Sequence, residues 1–325
     1  MKFSVPGLIT AVLMLLAAAA AVLFYNARRQ DTRPLRAEFP VMGTICSISI
    51  YGSEAQLNSA LAAGKAEFDR VNAACSLYNP GSELSLLNAT ASHRDFRCSE
   101  AMWFLIKRAQ QAYLESDGNF DITVKPLMDL WGFYRKRGDT PPSAAEIREV
   151  LKRVGFDKLI LDDARRTIRF SVPDMALDMG GIAKGYAADL AMSAIVRCGI
   201  TAGVVDIGGN LRFLPEPPPG RSFYRVAVRD PEQPEKTLPE TLEIKPAMAV
   251  STSGDYERFV TLKGKHYGHI ISPKTGLPGK TRTVTVICPR ALDADVFSTS
   301  CAIGNENTVA QLQKIYPELQ IIFVK

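Results

Sequence analysis

The hydrophobic periodicity of the chain changes near its midpoint, and this change limits the folds available to it. In the first half, apolar side chains recur every three or four positions, which predicts amphipathic helices. One such stripe comprises Leu57, Leu61, Gly64, Phe68 and Val71. In the second half, Tyr224, Val226 and Val228 alternate with their neighbours, which predicts a strand with one face in solvent. Both patterns without a regular βαβ order are typical of the α+β class, with mixed, largely antiparallel sheets flanked by helices.

The composition excludes several classes of protein. The 325 residues are 22% charged and 46% hydrophobic, which is typical of a globular chain and excludes wholesale disorder. A net charge of +5, from 39 basic and 34 acidic side chains, is too weak to predict a nucleic-acid partner. It suits a small anionic ligand. No linker clearly divides residues 40–325, so we expect one domain there.

The N-terminus carries an apolar run. Residues 8–25 contain one plainly polar side chain, Thr10. This length is at the lower limit for a membrane span, which needs about 20 apolar residues. We therefore predict a signal sequence or membrane anchor over residues 1–26, with cleavage left open, and a polar linker over residues 27–39. A buried helix of a cytosolic protein is the less favoured alternative, because the run has no polar face at helical spacing.

Six cysteines occur, and none forms a C-x-x-C pair. The motif that usually indicates a zinc ribbon or thioredoxin-like redox chemistry is therefore absent from the sequence. Disulfides are permitted in an oxidising compartment, but the sequence does not determine their pairing. Packing as small buried hydrophobes is the alternative.

A glycine-rich segment lies between a predicted strand and a predicted helix at residues 176–185. Glycines allow backbone amides to approach an anion, and the start of a helix adds partial positive charge. Lys184 falls in the first helical turn, where a cation is unfavourable for the helix dipole, and this favours a ligand phosphate nearby. An ordinary glycine turn is the competing interpretation of this segment alone.

Asp295 and Thr299 are four residues apart on a predicted helix, so their side chains share one face. Two hard oxygen donors suit Mg²⁺, which takes few protein ligands and completes its shell with water and phosphate oxygens. The alternative is that Asp295 caps the helix and Thr299 lies on the surface. By contrast, His266 and His269 are three apart in a predicted strand, which directs them to opposite faces and disfavours a chelating pair.

Taken together, these segments resemble the ApbE family of FAD:protein FMN transferases, from about residue 40 to residue 320. The matching motifs, in chain order, are Met42-Gly43-Thr44, Ser76-Leu77-Tyr78, residues 82–84, 87–88, 117–124, 126–127, 131–133, 178–186, 206–210, 251–256, 268–271 and 273–278, Ala294-Asp295 and Ser298-Thr299. The resemblance implies an ApbE-like fold for residues 40–325. It also implies an exported enzyme at the periplasmic face of the bacterial inner membrane, attached through its N-terminal segment or released from it.

The implied reaction transfers FMN from FAD to a threonine or serine hydroxyl of an acceptor flavoprotein, with release of AMP. Implied acceptors are subunits of the sodium-pumping NADH:quinone reductase and of the Rnf complex. FAD is then a substrate, and Mg²⁺ is the cofactor, with Mn²⁺ as an alternative.

The resemblance also assigns site residues. The FAD site would be lined by Met42, Tyr78, Asn119, Phe120, Asp121, Asp178, Lys184 and His269. The metal ligands would be Asp295, Thr299 and the main-chain carbonyl of Gly181. His269 is the only histidine inside a matched motif, and an imidazole with a pKa of about 6.5 suits proton transfer, so His269 and Asp295 are the predicted catalytic residues.

Two positions depart from the family pattern. Ser272 stands where the family commonly has aspartate, and Asn119 stands where a small residue is frequent. Two other functions remain open at this point: Mg²⁺-dependent hydrolysis of FAD to FMN and AMP, and a non-catalytic FAD-binding protein. The latter would not need the Asp295 and Thr299 pair.

Overall fold

A computed structural model of the protein describes residues 34–230, 233, 236–254, 258–279 and 283–324. The predicted signal or anchor over residues 1–26 lies outside these residues. Within them, no helix combines the length and the apolar character that crossing a membrane requires. The predicted linker over residues 27–39 ends too late, because residues 35–39 belong to a β-strand.

The described residues form fourteen strands. In chain order they are β1 (Leu35–Val41), β2 (Thr44–Tyr51), β3 (Phe96–Arg97), β4 (Leu159–Asp162), β5 (Thr167–Phe170), β6 (Ala202–Ile207), β7 (Asn210–Phe213), β8 (Tyr224–Arg229), β9 (Thr237–Ile244), β10 (Ala249–Ser253), β11 (Phe259–Leu262), β12 (Lys265–Gly268), β13 (Thr283–Cys288) and β14 (Gln320–Val324). Seven of them form the main sheet in the order β1-β2-β6-β7-β10-β13-β14. Every neighbouring pair in this sheet is antiparallel, as the second-half pattern predicts.

Eight α-helices accompany the strands in the described residues: α1 (Glu54–Cys75), α2 (Glu83–Thr90), α3 (Glu100–Glu115), α4 (Lys125–Trp131), α5 (Ala144–Leu151), α6 (Ala183–Arg197), α7 (Ala291–Ile303) and α8 (Glu306–Ile315). Local signals set several of these boundaries. The spacing of Ser143 and Glu146 predicts a capping box, and these residues form one before α5. The sequence also predicts a break in the last helical segment near Gly304, and this break separates α7 from α8. The α+β fold class is therefore confirmed.

The two faces of the main sheet are covered differently. One face carries the larger core: Cys46, Ile48 and Ile50 alternate along β2 and are fully buried against the helices. The other face is covered by the hairpin of β8 and β9, where Tyr224 packs against Phe213 with ring centroids 4.6 Å apart. The sheet thus lies between a helical layer and a two-stranded layer.

All six cysteines are free thiols. Cys46, Cys98, Cys288 and Cys301 are buried, and burial raises the pKa of each of these thiols to about 12. The structure therefore supports packing as small hydrophobes rather than a disulfide framework.

Candidate active site

One cavity of about 920 Å³ lies at an end of the main sheet. It is lined by every residue that the resemblance assigned to the FAD or metal site: Met42, Tyr78, Asn119, Phe120, Asp121, Asp178, Gly181, Lys184, His269, Asp295 and Thr299. Its volume is at the upper end of the range for ligand pockets, about 300–1,000 Å³. The cavity thus brings together residues that are more than 250 positions apart in the chain.

Two tight turns form the sheet end of this cavity. Met42 and Gly43 connect β1 to β2 with φ angles of 57° and 72°, and Gly208 and Gly209 connect β6 to β7 with φ angles of 55° and 87°. Positive φ at both central residues is the two-residue hairpin geometry that matches strand twist. A Cβ at Gly208 would lie 2.6 Å from Thr44 Oγ1, so the contact between the two turns depends on glycine there.

The glycine loop is held at its start by side chains from distant elements. Asn88, at the end of α2, donates from Nδ2 to Leu177 O at 3.0 Å and accepts from Leu177 N at 2.7 Å. Asp178 N donates to Ile122 O at 2.7 Å, and Asp178 Oδ1 accepts from Gly180 N at 2.8 Å. The loop therefore enters α6 in a fixed conformation, with the helix start directed at the cavity.

Asp295 is fixed beside the first turn of α6. Its Oδ2 accepts from Gly185 N at 3.0 Å, and its Oδ1 lies 3.4 Å from Lys184 Nζ, which also donates to Gly180 O at 2.8 Å. A Cβ at Gly185 would lie 2.2 Å from Ala291 O, so only glycine lets α6 and α7 approach this closely. The alternative role of Asp295 as a helix cap is excluded, because Asp295 lies inside α7.

Thr299 completes this corner from the next turn of α7. A Cβ at Gly181 would lie 3.2 Å from Thr299 Oγ1, which places the glycine loop directly against that hydroxyl. Ser298 and Ser300 donate to main-chain carbonyls of α7, whereas Thr299 Oγ1 makes no hydrogen bond among the described residues. The hydroxyl is therefore available to a ligand in the cavity.

These three residues fit a hard divalent cation by their donor chemistry. A carboxylate, a hydroxyl and a main-chain carbonyl are oxygen ligands of the kind Mg²⁺ accepts, and Mg²⁺ takes its remaining ligands from water and phosphate. The part of the chain that the structure describes contains no cluster of three or more His, Cys, Asp or Glu side chains suited to a metal, and this corner supplies one carboxylate.

A buried hydroxyl network, which sequence reasoning missed, fixes α7 to the sheet beneath this corner. Ser298 Oγ lies 3.1 Å from Ser251 Oγ and 2.8 Å from Ser253 Oγ, and it donates to Asp295 O. Ser251 in turn donates to Asn210 Oδ1. Ser251 and Asn210 belong to matched motifs. Both side chains are buried, and each has a hydrogen-bond partner in this network.

An aromatic wall, formed by Tyr78 and Tyr134, borders the cavity beside the start of the glycine loop. Tyr78 is 67% exposed, and its ring centroid is 5.8 Å from that of Tyr134. Tyr134 Oη donates to Asp178 Oδ2 at 2.8 Å, and burial raises its pKa. The Arg258 guanidinium lies 4.9 Å from the Tyr134 ring and 3.2 Å from Tyr78 Oη. Sequence reasoning missed Tyr134 and Arg258, although each lies close to a matched motif.

His269 follows β12 directly and reaches the cavity from there. Its Nδ1 lies 3.1 Å from Arg258 O, and since a carbonyl only accepts, Nδ1 carries the proton and Nε2 is left as an acceptor. Burial lowers the pKa of His269 to about 4, and the charges of Lys184 and Arg258 add to this effect. His266 lies outside the cavity, with Nδ1 2.9 Å from Thr261 Oγ1.

Two predicted FAD contacts have their polar groups engaged within the protein. Asn119 donates from Nδ2 to Ser116 O at 2.8 Å and to Thr308 Oγ1 at 3.0 Å. Asp121 accepts from Thr123 and from Phe156 N, and burial raises its pKa to about 6. These residues therefore shape the wall of the cavity.

Ser272, which departs from the family pattern, has a local structural role. Its Oγ accepts from Thr275 N at 3.3 Å and closes the turn beside the cavity. Ser272 itself is not among the residues that line the cavity.

Comparison with known proteins agrees with this geometry. Residues 42–323 match the sequence profile of the ApbE family. A relative from Klebsiella pneumoniae (strain 342), named FAD:protein FMN transferase, is 32% identical over 268 residues, which are 81% of this chain and 76% of the relative. The crystal structure of an ApbE protein from Thermotoga maritima superposes with a TM-score of 0.81 at 28% identity, covering 90% of this chain and 94% of the other. The flavin transferase ApbE from Vibrio cholerae gives a TM-score of 0.77 at 28% identity, covering 89% and 93%. The chain belongs to the ApbE family.

Proposed function

We propose that this protein is an FAD:protein FMN transferase, the activity named for its relatives. The observation that carries the proposal is the meeting of Gly181, Lys184, Asp295 and Thr299 in one corner of a cavity of about 920 Å³. Phosphoryl transfer depends on positioning and on charge neutralisation, and this corner supplies the ammonium group of Lys184 and hard oxygen donors. An FAD-storage protein would need the aromatic wall and the glycine loop but not the Asp295 and Thr299 pair.

The proposed reaction balances as an exchange of phosphorus–oxygen bonds. The acceptor hydroxyl oxygen forms a bond to the FMN-side phosphorus of FAD, and the bond from that phosphorus to the bridging oxygen breaks. AMP leaves with the bridging oxygen, and the hydroxyl proton is released. The products are AMP and a phosphodiester between FMN and the acceptor side chain.

The chain's own residues bind the diphosphate and neutralise its charge. Lys184 lines the cavity at the start of α6, where its ammonium group and the positive end of the helix dipole both favour phosphate oxygens. Gly181 O, Asp295 and Thr299 would hold Mg²⁺ or Mn²⁺. When bound, such an ion neutralises charge that develops on the diphosphate. Tyr78, which is 67% exposed, offers a ring face for stacking of an aromatic ring of FAD.

His269 is the proton acceptor in this proposal. Its pKa of about 4 keeps the imidazole neutral near pH 7, and the hydrogen bond from Nδ1 to Arg258 O leaves Nε2 free. Bound diphosphate adds negative charge near Lys184, which opposes the effect of that lysine and raises the pKa of His269 towards the range useful for a general base.

The acceptors and the location follow from the family resemblance and from the N-terminal sequence. We propose that the acceptors are flavoprotein subunits such as those of the sodium-pumping NADH:quinone reductase or the Rnf complex. The reaction would take place at the periplasmic face of the inner membrane, since residues 8–25 have the length and composition of an export signal or anchor.

Full-length protein should be incubated with FAD, Mg²⁺ and a purified acceptor subunit, and the acceptor analysed by mass spectrometry. Transfer adds the mass of FMN to one threonine or serine and releases one AMP per acceptor modified. Free FMN and AMP without a modified acceptor would instead support hydrolysis. FAD binding without AMP release would support a storage protein, and either result would reject the proposal.

A further inference from the structure

The cavity extends around the end of the main sheet onto the face away from the helices. Side chains alternate along β2, so Ile45 and Ser47 point away from the face that holds Cys46 and Ile48. Both Ile45 and Ser47 nevertheless line the cavity. In β10 the cavity is lined both by Ser253, on the α7 side, and by Thr252, on the opposite side. One continuous space therefore connects the glycine loop with the other side of the sheet.

The hairpin of β8 and β9 forms the outer wall of this second part. At one end the hairpin is closed against the sheet, because Tyr224 Oη accepts from Gly203 N at 2.9 Å and donates to Glu216 O at 2.6 Å. At the other end, the hairpin and the sheet enclose open space. We call this space the hairpin cleft, and it is lined by Ile45, Asp206, Leu211, Val226, Val228 and Arg229.

The hairpin cleft has an apolar floor and a cation at its rim. Ile45 is 56% exposed, so it presents an accessible apolar surface to the cavity. Arg36 pairs with Glu38 at 2.8 Å, whereas Arg229 makes no ion pair among the described residues. Burial raises the pKa of Asp206, and Arg36 and Arg229 both oppose this rise through their charges. Asp206 itself is engaged, since it accepts from Gly209 N at 2.9 Å.

We propose that the hairpin cleft receives the acceptor polypeptide as an extended segment, with an acidic side chain of that segment at Arg229. This inference rests on the proposed function. In phosphoryl transfer the attacking and leaving oxygens lie roughly in line on opposite sides of the phosphorus. With the AMP half of FAD placed on the helical side of the sheet, beside the glycine loop, in-line attack by the acceptor hydroxyl comes from the other side. The hairpin cleft is the part of the cavity that opens there.

The test compares two arginines of the same strand. Arg229→Glu reverses the charge at the rim of the hairpin cleft. Arg225→Glu is the matched control, because Arg225 lies on the same strand but pairs with Glu243 at 3.6 Å and does not line the cavity. Full-length variants are assayed with FAD, Mg²⁺ and a soluble acceptor domain of a sodium-pumping NADH:quinone reductase. The KM for the acceptor, the KM for FAD and AMP release without acceptor are measured.

We expect Arg229→Glu to raise the KM for the acceptor about tenfold at low salt, because like charges then meet at the rim. The KM for FAD and the acceptor-free release of AMP should match the unmodified protein, and Arg225→Glu should change none of these quantities. An unchanged acceptor KM in Arg229→Glu, or an equal rise in both variants, would overturn the inference. A raised KM for FAD would assign the cleft to FAD and would also overturn it.

A second variant tests the path without relying on charge. Val228→Trp fills the hairpin cleft from the hairpin side, and it should abolish transfer to the acceptor while FAD binding is retained. Normal transfer by this variant would exclude the cleft as the path. If the unmodified protein transfers no FMN at all, the proposed function itself fails. If the unmodified protein transfers FMN and the variants transfer it equally well, only the inference about the hairpin cleft fails.

Discussion

Replacing Asp295 with asparagine should separate catalysis from folding. The carboxylate is 2% exposed, and its Oδ1 lies 3.4 Å from Lys184 Nζ. Two unit charges of opposite sign at that separation attract each other by about 5 kcal/mol at an effective dielectric constant near 20. This value sets the scale of the attraction between Asp295 and a cation bound beside it. Asparagine keeps an oxygen that can accept from Gly185 N, so most of the local structure should survive.

We expect Asp295→Asn to lower the rate of AMP release about 1,000-fold, since about 4 kcal/mol of transition-state stabilisation corresponds to three factors of ten. With metal present, kcat/KM should decrease by this factor, as measured by quantifying AMP and acceptor-bound FMN. The free energy of unfolding in urea should change by about 1 kcal/mol, because the hydrogen bond to Gly185 is retained and Lys184, which is 25% exposed, keeps its hydrogen bond to Gly180 O.

Asp293→Asn is the matched control on the same helix. Asp293 is also buried, but it pairs with Arg108 at 2.8 Å and with Arg290 at 2.6 Å, away from the cavity. Losing this charge should cost about 3 kcal/mol of stability with little effect on kcat in the folded protein. Activity of Asp295→Asn within tenfold of the unmodified protein, or an equal loss of kcat in both variants, would refute the reasoning.

Three further predictions follow from the same geometry. The pKa of His269 is about 4 in the folded protein and about 6.5 when unfolded, so the contribution of His269 to stability should fall by up to about 3 kcal/mol as the pH drops from 6.5 to 4, while Asp121, whose pKa is raised to about 6, contributes in the opposite direction. His269→Gln should flatten this dependence in urea titrations, and an unchanged slope would contradict the assignment. Gly185→Ala places a Cβ 2.2 Å from Ala291 O and should cost about 3 kcal/mol with loss of activity, whereas Gly138→Ala, with nothing within 4 Å, should be neutral in thermal unfolding. Tyr78→Ala should raise the KM for FAD about tenfold and Tyr78→Phe about twofold or less, because stacking needs only the ring; equal effects would argue against stacking.

Features fixed by neighbouring residues were predictable from the sequence. The capping box of Ser143 and Glu146 and the helix break at Gly304 each depend on a few adjacent positions, and both are confirmed. The glycine segment before α6 was located correctly for the same reason. The segment by itself fits both an ordinary turn and a ligand site, because a ligand site is defined by the residues that surround the turn.

Strand β1 was missed because its charged residues face away from the helices. Arg36 and Glu38 alternate with Ala37 and Phe39, and only the latter pair faces the core side of β2. An edge strand with one open face and a proline at residue 40 has the composition of a connector. The pairing with β2 that defines the strand depends on the Met42–Gly43 turn.

The candidate site was predictable through the family motifs, while its supporting contacts were not. Asp295 and Thr299 share a helix face by spacing alone, but the approach of Gly181 to Thr299 depends on the packing of α6 against α7. Arg258 and Tyr134 lie 124 positions apart and meet only in the folded chain. Such contacts depend on tertiary structure, which local patterns do not encode.

The most direct test of the account is a crystal structure of the protein with bound FAD and Mn²⁺, with the ion located by its anomalous scattering. We expect one Mn²⁺ bound by Asp295, Thr299 and the carbonyl of Gly181, and in contact with the diphosphate of FAD. A diphosphate bound elsewhere in the cavity, or an ion that contacts none of these three residues, would contradict the account.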